Sequence, residues 1–155
     1  MQNDCKNCVF NVRATSMLSD KSFDQLSENH LELRFTKGDT IIKQGMFSTN
    51  VVFLRRGLAK IHLSGPYREQ IVRLVKAPTY LGLPTTFGDK INQYSVTAVT
   101  DTEVCYIDIH VFQTILNENR EFSNDILIEL SKNELESFRR CAKRTQSQIR
   151  VNMAD

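Results

Sequence analysis

Tryptophan is absent from the 155 residues, and proline (three), histidine (three), cysteine (four) and glycine (six) are sparse. Four cysteines are too few for a disulfide framework, and a chain of this length buries enough surface to hold a core without one. The longest unbroken apolar run, from Val51 to Leu54, falls far short of the roughly 18 residues a membrane-spanning helix requires, so no membrane partner is expected. The first residues offer neither a basic n-region nor an apolar h-region. No secretion signal is therefore expected, and a reducing, cytoplasmic compartment follows. An excess of one charge is missing too. Twenty Lys and Arg stand against 18 Asp and Glu, for a net charge of +2, which excludes an acidic tail and an overall basic surface for nucleic acid. What is present, 41% hydrophobic and 25% charged residues, is the composition of an ordinary folded chain.

The small net charge conceals an asymmetry. From Ser137 onward, Arg139, Arg140, Lys143, Arg144 and Arg150 face only Asp155, for +4, while the first 136 residues carry 15 basic and 17 acidic side chains, for −2. Two readings of the basic end stay open: a solvated helix face, or a segment that lies beside phosphates. Cys5 and Cys8 form a C-x-x-C pair, with Cys105 and Cys141 far off. In a reducing compartment this spacing suits metal or redox chemistry better than a bridge, and inert thiols are the simpler reading.

Nothing in the sequence assembles a catalytic set. There is no G-x-S-x-G, and His30, His62 and His110 stand apart with no H-x-H pair. A cupin-type metalloenzyme, which needs several histidines converging on a metal, is the alternative this argues against, and no enzyme is expected.

Hydropathy patterning divides the chain. Ser19 is a suitable N-cap for a short helix over 20–29. Leu31, Leu33 and Phe35 then alternate with Glu32, Arg34 and Thr36, the period of a half-buried strand. Further short strands are predicted over 40–43, 51–55, 58–63, 70–75, 94–99 and 103–107, punctuated by glycine and proline, with a loop carrying one helical turn over 82–92. Seven or eight short strands without strand–helix alternation predict a roll, sandwich or barrel. Arg55, Arg56 and Arg73 are expected to face water.

The last third is helical. A short helix is predicted over 109–117. From Arg120 to Arg150 neither glycine nor proline occurs, and the apolar pattern follows a heptad. Ile128, Leu135, Ala142 and Ile149 recur every seven residues, with Ser131, Phe138 and Thr145 at the companion positions. Such a stripe predicts a seam for a second copy of the helix, hence a homodimer; the competing reading lays the helix on its own domain. The expected organisation is an N-terminal segment over 1–18, a roll over 19–118, a dimerisation helix over 119–150 and a fragment of a further domain over 151–155.

These elements carry a resemblance. Lys37-Gly38-Asp39 through Gly45, then Val52-Phe53-Leu54 through Gly57 and Lys60, together with Glu69-Gln70-Ile71, Tyr80-Leu81-Gly82 and Glu103-Val104-Cys105-Tyr106-Ile107, make the chain similar to the Crp/Fnr family of bacterial transcription regulators. The resemblance implies an α+β fold: a jelly-roll-like double-stranded β-helix of the cyclic-nucleotide-binding kind, with a long C-terminal dimerisation helix. It also implies a phosphate cassette for an effector. Cyclic-AMP binders of the family carry Gly-Glu and, about ten residues on, Arg followed by Ser or Thr. Here those positions look like Gly82-Leu83 and Tyr94-Ser95. Leu83 cannot accept a ribose hydroxyl and Tyr94 cannot neutralise a phosphate, so no tight cyclic-AMP binding is expected and the small-molecule effector is left unnamed.

The oxygen-sensing branch of the family holds an iron–sulfur cluster with four cysteines. Cys5, Cys8 and Cys105 resemble three of them, but the remaining position falls near Ala14, so a cluster is not expected. Family members end in a winged helix-turn-helix, and this chain stops where one would begin. The resemblance therefore implies the effector-sensing and dimerisation part of a regulator that meets DNA only in its full-length form. A stand-alone dimerising module without a DNA-binding head is the alternative.

Overall fold

The computed structural model describes residues 17–154. Helix α1 (Asp20–Glu28) starts where Ser19 Oγ accepts from the Ser22 amide at 3.2 Å. Eight strands follow: β1 (His30–Phe35), β2 (Thr40–Ile42), β3 (Asn50–Arg56), β4 (Leu58–Ser64), β5 (Glu69–Lys76), β6 (Thr79–Leu81), β7 (Ser95–Ala98) and β8 (Thr102–Asp108). A one-turn helix α2 (Leu83–Phe87) separates β6 from β7, and α3 (Ile109–Glu118) and α4 (Arg120–Ala154) close the chain. The strands form two four-stranded antiparallel sheets, one ordered β1-β8-β3-β6 and the other β2-β7-β4-β5. This is the expected roll, with one strand unforeseen: β6 lies directly after Pro78, where a break is the natural reading.

The alternation of β3 and β8 builds two cores from one sheet. Val52, Leu54 and Val104 point inward and meet Ile41, Ile61, Val75 and Val96 of the second sheet. Val51, Phe53, Cys105 and Ile107 point outward and are covered by α1, α3 and the start of α4 through Leu26, Phe112, Ile115, Phe122 and Ile126. Phe112 sits at the centre of that outer core, in edge contact with Tyr80 and Phe122.

Two strands differ from the expected alternation. Leu31 (58% exposed) and Leu33 are more exposed than His30 and Glu32. The reason is that β1 is an edge strand whose Leu31 and Leu33 line an open cleft with Tyr106, while its opposite face is closed by the end of α1. On β5, the other sheet's edge, Ile71 and Leu74 are likewise exposed whereas Arg73 is half-buried.

The corner between β3 and β4 needs glycine. Gly57 has φ +100°, and a Cβ there would come within 2.6 Å of the Asp101 carbonyl and 2.7 Å of the Thr102 side chain. Any other residue would strain the backbone and clash with it.

One buried side chain ties three helices together. Asn119 Oδ1 accepts from the Ser19 amide at 2.9 Å, and its Nδ2 donates to Ser22 Oγ and to the Ile115 carbonyl, both at 2.8 Å. Its carbonyl accepts from the Ser123 amide at 3.0 Å, opening α4. From there α4 runs 35 residues without interruption, about 52 Å at 1.5 Å per residue. It passes Arg150 with no break and ends at Ala154; no glycine or proline lies between Arg120 and Ala154 to stop it.

Candidate effector site

The site expected from the cassette lies where β6 turns into α2 and where β7 begins. Gly82 adopts φ +72° at that turn. Leu83 follows with its side chain 3% exposed, so it points into the outer core and offers nothing to a ligand. Ser95, at the head of β7, is also buried, and its Oγ accepts from the Gln44 amide at 3.0 Å. That hydroxyl thus anchors the chain after β2.

Tyr94 brings the two parts together. Its ring packs against the inner core, and its hydroxyl takes a hydrogen bond from the Gly82 backbone amide. Burial pushes the phenol above its ordinary value, while the Gly82 amide and the nearby Arg73 guanidinium pull the other way. The upward effect wins, so the phenol is neutral throughout the physiological range. The cassette amide that would face an anion is therefore already engaged by an uncharged side chain of the same chain.

Arg73 is the residue that sequence reasoning missed. It lies on the same face of β5 as the buried Val75, two residues on, half-buried and near enough to Tyr94 for its charge to act on the phenol. The pairing of burial on β5 was not legible because an edge strand's faces are set by what covers them. Arg73 also lines a cleft of about 170 Å³ between β5, β6 and α4, with Lys76, Thr79, Asn133, Glu136 and Arg140. The cleft is rich in positive charge, with Glu136 paired to Arg140 one turn on. Thr79 Oγ1 donates to Glu129 Oε1 at 3.4 Å beside it, linking β6 to α4.

Of the three arginines expected in solvent, Arg56 is exposed. Arg55 is not: its side chain is 13% exposed, with Nη1 3.0 Å from Glu32 Oε1. Position 55 shares the outward face of β3 with Phe53, beneath the covering helices, and burial there demands a counter-charge.

The remaining expected residues lie outside the cassette. Cys105 is buried on β8 and Cys141 is exposed on α4; Cys5, Cys8 and Ala14 lie outside the described residues. His62, on β4, contacts Glu69 and lies 2.7 Å from Thr97 Oγ1, whereas His30 is on β1 and His110 on α3. The heptad stripe, Ile128, Ser131, Leu135, Phe138, Ala142, Thr145 and Ile149, is exposed throughout. At 3.6 residues per turn it lies opposite the stripe of Phe122, Ile126 and Leu130 that meets the roll.

Comparison with known proteins matches this geometry. Residues 32–119 fit the family described as the cyclic nucleotide-binding domain, and the chain belongs to that family. Among solved structures, it is similar to the sensor domain of the transcriptional regulator DNR from Pseudomonas aeruginosa, with a TM-score of 0.69 at 16% identity, over 86% of this chain and 88% of that one. It is similar to a transcriptional regulator from Thermotoga maritima, with a TM-score of 0.62 at 20% identity, over 79% and 93% of the two chains. The catabolite activator protein of Thermus thermophilus gives a TM-score of 0.65 at 15% identity, over 81% of this chain but 59% of that one. The fold is thus that of the sensor part of Crp/Fnr-type regulators. No curated protein sequence matches the chain significantly. No helix among the described residues is long and apolar enough to cross a membrane.

Proposed function

We propose that this chain is the effector-sensing and dimerisation region of a Crp/Fnr-type transcription regulator, cytoplasmic and non-catalytic, that does not respond to cyclic AMP. The observation that carries the reading is the Tyr94 hydroxyl on the Gly82 amide, in the cassette where a cyclic phosphate would need a cation. Leu83, buried where the family's ribose-binding Glu would stand, supports it. The residues present do not fit a cyclic nucleotide.

The exposed stripe on α4 supports a homodimer built on that helix. Four of its members, Ile128, Leu135, Phe138 and Ile149, are large apolar side chains at least half exposed, and pairing two copies would remove them from water at about 25 cal/mol per Å². An effector acting at the cleft between β5 and α4 would touch both roll and helix. It would then bias the pose of α4 and, in a full-length protein, the spacing of DNA-binding heads. Residues 19–118 are the sensor in this reading, and the helix from 119 onward is the dimer element. The basic end of α4 lies towards the DNA.

Analytical ultracentrifugation at micromolar concentration tests the dimer. A single species of twice the chain mass is expected; a monomer would refute the assignment of α4.

A further inference from the structure

The outward face of the β1 sheet holds a polar group that the effector cassette does not use. His30 and Glu32 lie two apart on β1, and Glu32 is in register with Cys105 on β8, so the three side chains leave one face together. One ligand atom from each, a ring nitrogen of His30, a carboxylate oxygen of Glu32 and Sγ of Cys105, lie within 4.8 Å of one another.

The histidine is oriented for a ligand's role. His30 Nδ1 lies 2.9 Å from the Ser27 carbonyl and 3.1 Å from the Leu26 carbonyl. Carbonyls only accept, so Nδ1 carries the proton and Nε2 presents its lone pair to the cluster. A backbone carbonyl behind a ring nitrogen is the usual support of a metal-bound imidazole. Nε2 stands 3.5 Å from Glu32 Oε1, too far for a good hydrogen bond. Glu32 Oε1 is itself buried with no aligned hydrogen bond, although Arg55 Nη1 is 3.0 Å away. At 3.5 Å the imidazole nitrogen and the carboxylate oxygen are spaced as two ligands of one ion. Bonds of about 2.0 to 2.3 Å in tetrahedral geometry place ligand atoms about 3.5 Å apart.

We propose that His30 Nε2, the Glu32 carboxylate and the Cys105 thiolate form a site for a divalent transition-metal ion of the zinc class. The mixed nitrogen, oxygen and sulfur set suits such an ion and not calcium or magnesium. Binding releases the Cys105 proton to solvent, since the thiolate is the ligand. Arg55 opposes the incoming cation, but with Glu32 and Cys105 ionised the cluster keeps one net negative charge. Three protein ligands leave a fourth position open.

The test uses the whole chain, purified metal-free and carrying Cys5→Ser, Cys8→Ser and Cys141→Ser, so that Cys105 is the one thiol. Titration with Co2+ is expected to give thiolate-to-cobalt charge-transfer absorption that saturates at one equivalent and is displaced by Zn2+. Adding Cys105→Ser abolishes the absorption. Adding His30→Ala weakens binding at least about tenfold, and Glu32→Gln weakens it by a smaller factor. Circular dichroism of each metal-free variant establishes that it is folded. A folded protein that shows no charge-transfer absorption, or one whose affinity is unchanged by His30→Ala, overturns the proposal.

Discussion

The roll and the distal half of α4 obey opposite rules. In the roll, every large apolar residue of β3 and β8 is consumed by one of two cores, and even the polar Asn119, Ser22 and Thr102 are buried. Beyond Leu130, α4 keeps the same heptad regularity yet buries none of it against its own chain. The contrast teaches that one helix serves two masters along its length. Its first turns complete the domain through Phe122 and Ile126, and its remainder carries an exposed apolar stripe.

The comparison is broken most severely at Phe112. Truncation by Phe112→Ala empties the centre of the outer core and is expected to cost about 3 to 5 kcal/mol. Urea unfolding followed by circular dichroism measures it; a loss below about 1 kcal/mol would mean that the helices do not complete the roll. The converse variant, Leu135→Glu with Phe138→Glu, touches only the distal stripe. It is expected to weaken self-association at least ~100-fold, about 2.7 kcal/mol, in sedimentation equilibrium, while the roll's fold, read by circular dichroism, is unchanged. Loss of folded signal there would mean that α4 packs on its own domain.

The smallest effect sharpens the reading within the roll. The Tyr94 phenol titrates higher in the folded chain than its ordinary value of 10.0. Above pH 10 the unfolded chain therefore loses this proton first, and stability falls as pH rises through the folded value. Below pH 10 the contribution is fully present. Tyr94→Phe is expected to flatten the alkaline fall in stability, with Tyr106, also raised by burial, supplying the remainder. An unchanged alkaline slope would place Tyr94 in water.

Much of this was legible in the residues. Ser19 marked the first helix, the glycines punctuated the short strands, and the absence of glycine and proline after Arg120 marked the long helix. What was not legible is which face of an edge strand is covered. Leu31 and Leu33 alternate as buried residues should, but β1 has an open cleft on that side, so the less exposed pair is His30 and Glu32. Arg55, on an interior strand, and Arg73, on an edge strand, were hidden because their surroundings come from strands and helices distant in sequence. The cassette was legible as a substitution, Glu to Leu83 and Arg to Tyr94. That Tyr94 then bonds the Gly82 amide could only be found by folding the chain. The cluster of His30 and Glu32 with Cys105 had a partial signal: two ligand-type residues spaced by two on a strand share a face.

Isothermal titration of the chain with cyclic AMP tests the central claim most directly. The account predicts no binding heat at micromolar ligand, because the neutral Tyr94 holds the Gly82 amide and the buried Leu83 offers no ribose acceptor. A dissociation constant below about 1 μM, or roughly −8 kcal/mol of binding free energy, would contradict it.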